Sequence, residues 1–186
     1  MNKSLDRFTQ LEQLAQGISK CTKCTLSKTR QNAVPGEGDF RTSIMFIGEA
    51  PGEVEDQTGR PFQGRSGKLL DNLLSEVNMS RQDLFITSSV KCRPPQNRNP
   101  HVQELRICRA TWLNSQIEIL APEIIVLLGK VALYQLLGKK DKISDLRGSL
   151  FRSGKYKYLL SYHPSAALRF PKYYQQMLSD FKLLQV

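Results

Sequence analysis

The stretch Ile44-Met45-Phe46-Ile47-Gly48-Glu49-Ala50-Pro51-Gly52 decides the fold. Its four leading apolar residues carry no charge and predict a buried strand, which the Gly, Pro and Gly that follow end in a sharp turn. Gly48, Glu49 and Ala50 therefore stand at the carboxyl end of a buried strand, the place where open α/β sheets hold their ligands. A carboxylate at that place is either a reacting group or a turn residue bonded to backbone amides.

Working outward, apolar residues at Leu5, Phe8, Leu11, Leu14 and Ile18 predict an amphipathic first helix, and Leu69, Leu70, Leu73 and Leu74 predict another over about Ser66 to Val77. Ser80 has the character of a cap before a second strand at about Leu84 to Ser88. The three prolines between Lys91 and Pro100 fix φ and remove donors, so that segment is expected to be irregular. A long helix follows from about Val102 to Leu120, then a buried strand from Glu123 to Leu128 and a helix from about Val131 to Leu137. Leu150 to Phe151 and Tyr156 to Tyr162 read as later strands, and a closing helix runs from about Tyr173 to Leu184. Buried strands alternating with helices indicate an α/β fold with a parallel sheet between helices, and 186 residues suit one domain over the whole chain.

The formal net charge is +10 and the pI about 9.6. Such a balance makes a polyanion the expected partner, nucleic acid first. No apolar run approaches the ~20 residues needed to span a bilayer, so no membrane role is expected. Met1 to Ser4 carry no apolar leader, and the cytoplasm is the expected compartment.

The four cysteines are Cys21 and Cys24, two residues apart, then Cys92 on the Pro-rich segment and Cys108 on the long helix. A reducing compartment disfavours disulfides, so a shared metal site is the better reading. Thiolates suit either zinc or an iron–sulfur centre, and spacing alone does not separate them.

Taken together, Cys21-x2-Cys24, Gly48-Glu49-Ala50-Pro51-Gly52, Gly59-Arg60-Pro61-Phe62, Lys91-Cys92-Arg93-Pro94-Pro95, Asn97-Arg98, Cys108 and His163-Pro164-Ser165 closely resemble the family 4 uracil-DNA glycosylases, the iron–sulfur type. The pieces come in that family's order and cover about Cys21 to Arg169. The resemblance implies a single three-layer α/β/α domain with a central parallel four-stranded sheet. It implies a [4Fe-4S] cluster on Cys21, Cys24, Cys92 and Cys108, tying the N-terminal helix and its cysteine pair to the rest, with zinc the less favoured occupant. It also implies hydrolysis of the N-glycosidic bond of uracil in single- or double-stranded DNA, by a monomer, in base excision repair.

The residues agree with that chemistry. A base inside a duplex has to be flipped into a pocket, at a cost of about a few kcal/mol. Phe62, set in a Pro-and-Gly turn, is placed to stack on the flipped base. His163 follows an apolar strand and precedes a proline, so it too is expected at a strand end, as a neutral donor to uracil O2. Of the only other histidine, His101, a solvated or capping role is expected. Family 1 enzymes carry a water-orienting aspartate two places after the motif's first glycine; here Ala50 stands there. Glu49 is the nearest carboxylate for that task, with Glu55 and Asp56 further along. Many relatives carry asparagine at the end of the second strand; Ser88 takes its place here and offers a shorter, single group. Gly48, Glu49, Ala50, Phe62, Ser88 and His163 are thus the expected uracil site, and Arg93, Arg98, Leu168 and Arg169 the expected DNA contacts. The rival readings are a non-catalytic metal-stabilised DNA-binding relative on the same scaffold and a zinc-stabilised nucleic-acid-binding module. Excision from a uracil-containing oligonucleotide separates an enzyme from either, and colour separates iron from zinc.

Overall fold

Residues 3–185 are described by a computed structural model, with side chains from residue 6 onward. The first helix, α1, spans Lys3–Ser19, so the apolar position expected at Leu5 lies outside the described side chains. The strand of the opening motif, Ile44–Gly48, is β2 and is buried at every position, as its uninterrupted apolar run predicts. It lies between β3 (Phe85–Ser88) and β4 (Ile124–Leu128), and β4 in turn pairs with β6 (Tyr156–Ser161). These four strands are mutually parallel.

The sheet has six strands rather than four, in the order β1-β3-β2-β4-β6-β5. Both additions are antiparallel edges: β1 (Glu37–Gly38) on β3 and β5 (Leu150–Ser153) on β6. β1 spans two residues, too few for any alternation to register in the sequence. The antiparallel hairpin of β5 and β6 closes through Gly154 at φ +60°.

Helices cover both faces. On one, Phe46, Ile86, Val126 and Leu159 meet α3 (Arg65–Glu76), α8 (Pro164–Arg169) and α9 (Lys172–Phe181). On the other, Met45, Ile47, Ile125, Leu127 and Leu160 meet α5 (Asn114–Leu120) and α6 (Lys130–Leu137). Successive strand residues thus serve opposite layers, and burying each such side chain contributes about 1.5–3 kcal/mol. The long helix expected from Val102 to Leu120 is α4 (Val102–Cys108) continued into α5 through a π-helical turn, Arg109–Leu113. Three short helices went unread in the sequence: α2 (Glu53–Thr58), α7 (Ile143–Leu146) and α8. Each is six residues or fewer, below the length at which periodicity can be recognised.

Candidate active site

Gly48 and Ser88 are register partners at the carboxyl ends of β2 and β3. A cavity of about 650 Å³ opens there, lined among others by Glu49, Ala50, Phe62, Ser88 and His163. The residues of the expected uracil site are therefore brought together, with Gly48 packed against two of them: a Cβ on Gly48 would stand 2.6 Å from the Phe62 ring and 3.6 Å from His163 Nε2.

His163 caps α8 from the end of β6. The backbone N–H of Ser165 donates to its Nδ1 at 3.2 Å, and the Ser165 hydroxyl lies 2.8 Å from the same nitrogen. An amide can only donate, so Nδ1 is the unprotonated nitrogen and the ring proton sits on Nε2, the atom facing Gly48 and the cavity. Burial pushes the imidazole pKa from 6.5 down to about 4, against a weaker upward pull from Glu55. The ring is neutral at pH 7.

Phe62 stands beside it, ring centroids 5.6 Å apart and planes inclined by 31°. Its backbone is left-handed, φ +51°, a conformation that costs a bulky residue about 1–3 kcal/mol. The surroundings enforce it. Arg81 donates to the carbonyls of Pro61 (3.0 Å) and Phe62, while Glu55 accepts from the amides of Gln63 and Gly64, both at 2.8 Å. Gly67 packs so close that a Cβ there would lie 1.7 Å from the Phe62 carbonyl oxygen.

The carboxylates divide into structural and unattached. Glu55 also accepts from Gly52 N at 3.0 Å, tying the two glycine-rich loops together. Asp56, buried, takes the Gln31 amide on both oxygens at 3.0 and 3.1 Å. Asp56 does not line the cavity; Glu55 does, with three backbone amides already on its carboxylate. Glu49 is half-buried and its carboxylate accepts no hydrogen bond among the described residues. Burial raises its pKa, partly offset by Lys130. The Ser88 hydroxyl likewise has no partner within the described residues and lines the cavity.

At the cavity mouth stand Leu168 and Arg169, on the exposed face of α8, and Arg98. Arg98, expected as a DNA contact, is also engaged within the chain. Its guanidinium grips the buried Glu104 at 2.8 and 2.9 Å, which holds that carboxyl down to about 2. Glu104 also accepts from His101 N (2.7 Å) and the Thr25 hydroxyl (3.0 Å), so the pair joins the Pro-rich segment, the start of α4 and the loop after Cys24. Arg93 lies off the cavity, bonded to Asn97 at 2.8 Å and 3.6 Å from Glu53.

All four cysteines line one small cavity together with Arg30, Lys91 and Trp112. Arg30 donates to Cys92 Sγ at 2.9 Å and the Trp112 indole to Cys21 Sγ at 3.2 Å. Burial raises the Cys24, Cys92 and Cys108 thiols, Cys108 to about 12. No three His, Cys, Asp or Glu side chains among the described residues are arranged around a single ion. The donor set nonetheless suits a sulfur-bound group: four thiols converging from three segments, with two N–H donors aimed at the sulfurs.

Sequence reasoning named Glu55 only as a further carboxylate and Ser165 only within its motif, and it missed Arg81. The first had a signal, since Gly52-x-x-Glu55 has capping-box spacing. Arg81 had none, because the carbonyls it holds are 19 and 20 positions away.

A profile of the uracil DNA glycosylase superfamily matches residues 35–182. The chain is 44% identical over 181 residues to a type-4 uracil-DNA glycosylase of Saccharolobus solfataricus, covering 92% of this chain and 83% of that one. It is 46% identical over 161 residues to a type-4 uracil-DNA glycosylase of Thermotoga maritima, covering 86% and 83%. A type-5 uracil-DNA glycosylase of Thermus thermophilus is 38% identical over 120 residues, 56% of this chain and 53% of that one.

Proposed function

The chain belongs to the type-4 branch of the uracil-DNA glycosylase superfamily, so it excises uracil from DNA, and we propose the following division of labour among its residues. The flipped uracil enters the cavity and stacks on Phe62, a contact worth about 1–3 kcal/mol against the cost of leaving the helix. As the C1′–N1 bond breaks, its electron pair passes to the base and spreads onto O2, where the Nε2–H of His163 donates a hydrogen bond. A preorganised donor of this kind is typically worth about 2.7–4 kcal/mol in the barrier. The unattached Glu49 carboxylate faces the positive charge developing on the sugar and orients the water that adds to C1′, whose proton is released to solvent and balances the departing uracil anion. The Ser88 hydroxyl meets the polar edge of the base and, being both donor and acceptor, accommodates O4 or N3–H.

The observation that carries this reading is the Ser165 N–H to His163 Nδ1 contact, since it leaves Nε2 protonated, neutral and turned into the cavity. The test is single-turnover release of uracil from a labelled single strand, wild type beside His163→Ala and Glu49→Ala. Loss of excision in His163→Ala with binding retained supports the assignment, and unchanged excision overturns it.

Cys21, Cys24, Cys92 and Cys108 would hold a [4Fe-4S] cluster. Bound there, it supplies a cross-link between the end of α1, the Pro-rich segment and α4, and hydrolysis asks no electron of it. Metal analysis with visible absorption distinguishes iron from zinc. We further propose that Leu168 and Arg169 meet the DNA backbone and the gap left by the flipped base. The chain acts as a monomer in the cytoplasm on single- or double-stranded DNA. No helix among the described residues is long and apolar enough to cross a membrane.

A further inference from the structure

We propose that Arg81 is a positioning residue for uracil excision: it holds Phe62 in its left-handed backbone, so that the ring lies beside His163 before any base arrives. This rests on the functional reading above, in which Phe62 carries the base. Three observations support it. First, Phe62 at φ +51° is not a conformation an aromatic residue adopts unaided. Second, the Arg81 guanidinium reaches both Pro61 and Phe62 carbonyls, the two peptide oxygens flanking the strained residue. Third, the arginine is itself fixed from outside, by Glu37 at 2.8 Å and Asp71 at 2.6 Å, with only 21% of its side chain exposed.

The arrangement extends further. Glu37 sits on the two-residue edge strand β1 and also binds Arg60 at 2.7 Å, one residue before Pro61. The backbone from Arg60 to Gly64 is thus held on its carbonyls by Arg81 and on its amides by Glu55. With both carbonyls and the Gln63 amide engaged, three of the four polar groups of the peptides flanking Phe62 are committed to this turn and resist relaxing into an ordinary one. The ring can then offer a stacking face without reordering, the kind of preorganisation that raises affinity by avoiding an entropic cost at binding. A purely stabilising arginine would need only its two carboxylates; the two carbonyl bonds single out the Phe62 turn.

The test compares Arg81→Met, Phe62→Gly, the double variant and Asp71→Asn on a single-stranded uracil oligonucleotide. Phe62→Gly removes the ring and accepts a positive φ without help. Arg81→Met is expected to lower kcat/KM by roughly tenfold or more, mainly through KM, as befits a lost base–aromatic stack. Asp71→Asn breaks an ion pair of the same arginine but leaves its carbonyl bonds, and should stay within about twofold, as exposed pairs do. In the Phe62→Gly background, Arg81→Met should add no more than about twofold, because the residue it acts through is gone. A second readout is the ring-proton resonance of His163, one of two histidines, which lies in the ring current of Phe62. It should move in Arg81→Met and stay in Asp71→Asn. Multiplying effects in the double variant, or an unmoved His163 resonance in a folded Arg81→Met protein, would overturn the proposal. Should Arg81→Met fail to fold, Arg81→Lys keeps the cation with fewer donors and is held to the same two criteria. A wild-type protein that releases no uracil would sink the functional reading, and the His163 resonance would still decide the clamp.

Discussion

Ser165 donates its backbone N–H to His163 Nδ1, and no side-chain substitution at position 165 other than proline removes that donor. Ser165→Ala therefore deletes the 2.8 Å hydroxyl contact but keeps the tautomer. A neutral hydrogen bond is worth about 0.5–1.5 kcal/mol, so excision should fall by less than about tenfold. His163→Ala, which removes the donor itself, should cost about 10²–10³ in kcat. Single-turnover rates on one substrate check the two together.

The depressed imidazole pKa fixes a pH dependence. In the unfolded chain His163 takes a proton near 6.5, and in the folded chain only near about 4. Between these values the unfolded state binds more protons, so stability is full above pH 6.5 and falls as the pH drops toward 4. Denaturant midpoints across this window should decline in the wild type, and the His163→Gln protein should decline less steeply.

Excision should fall in the same direction. Protonation at Nδ1 ejects the Ser165 amide, and protonation of Glu49, whose pKa burial has raised, removes the negative charge near the sugar. An activity profile that rises on acidification would contradict both assignments.

Ser88→Asn places a longer amide at the end of β3, beside Gly48, where the serine hydroxyl has no partner among the described residues. Uracil release should be preserved or raised, because an amide presents a donor and an acceptor to the base edge together. Competition between uracil- and cytosine-containing strands measures the gain in discrimination.

Arginines at the cavity mouth should separate by their engagement. Arg169→Gln should flatten the dependence of log affinity on log salt by about one unit, the signature of a lost phosphate contact. Arg98→Gln should leave that slope alone and instead lower thermal stability, since it strands a Glu104 carboxylate whose side chain is 4% exposed.

The parallel core and the convergence of Gly48, Phe62, Ser88 and His163 were legible because each rests on local signals: an apolar run, a Gly/Pro turn, a residue at a strand end. The shared cysteine site rested instead on the Cys21-x2-Cys24 spacing, a reducing compartment and the family resemblance, and the four thiols do line one cavity. What escaped depends on partners distant in sequence. The pairing of Arg98 with Glu104 could not be told from a solvated arginine, since the pairing is created by the turn at Pro95–Asn97 and the start of α4. Glu55 and Asp56 read as spare acids on a loop; a six-residue helix turned them inward onto backbone amides. The edge strand β1 carries no periodicity at all, yet it delivers Glu37 to Arg81.

Those sheet borders have a consequence for crowding. A bare strand edge is a template on which another polypeptide can add, and proteins blunt it by brevity or charge. Here one border is two residues long, and the other, β5, carries Arg152 across from Lys157 of β6, with Lys155 at the hairpin turn. Copies brought close together along one DNA molecule meet with one margin too short to template a strand and the other positively charged, so crowding on the polymer does not invite sheet-to-sheet association.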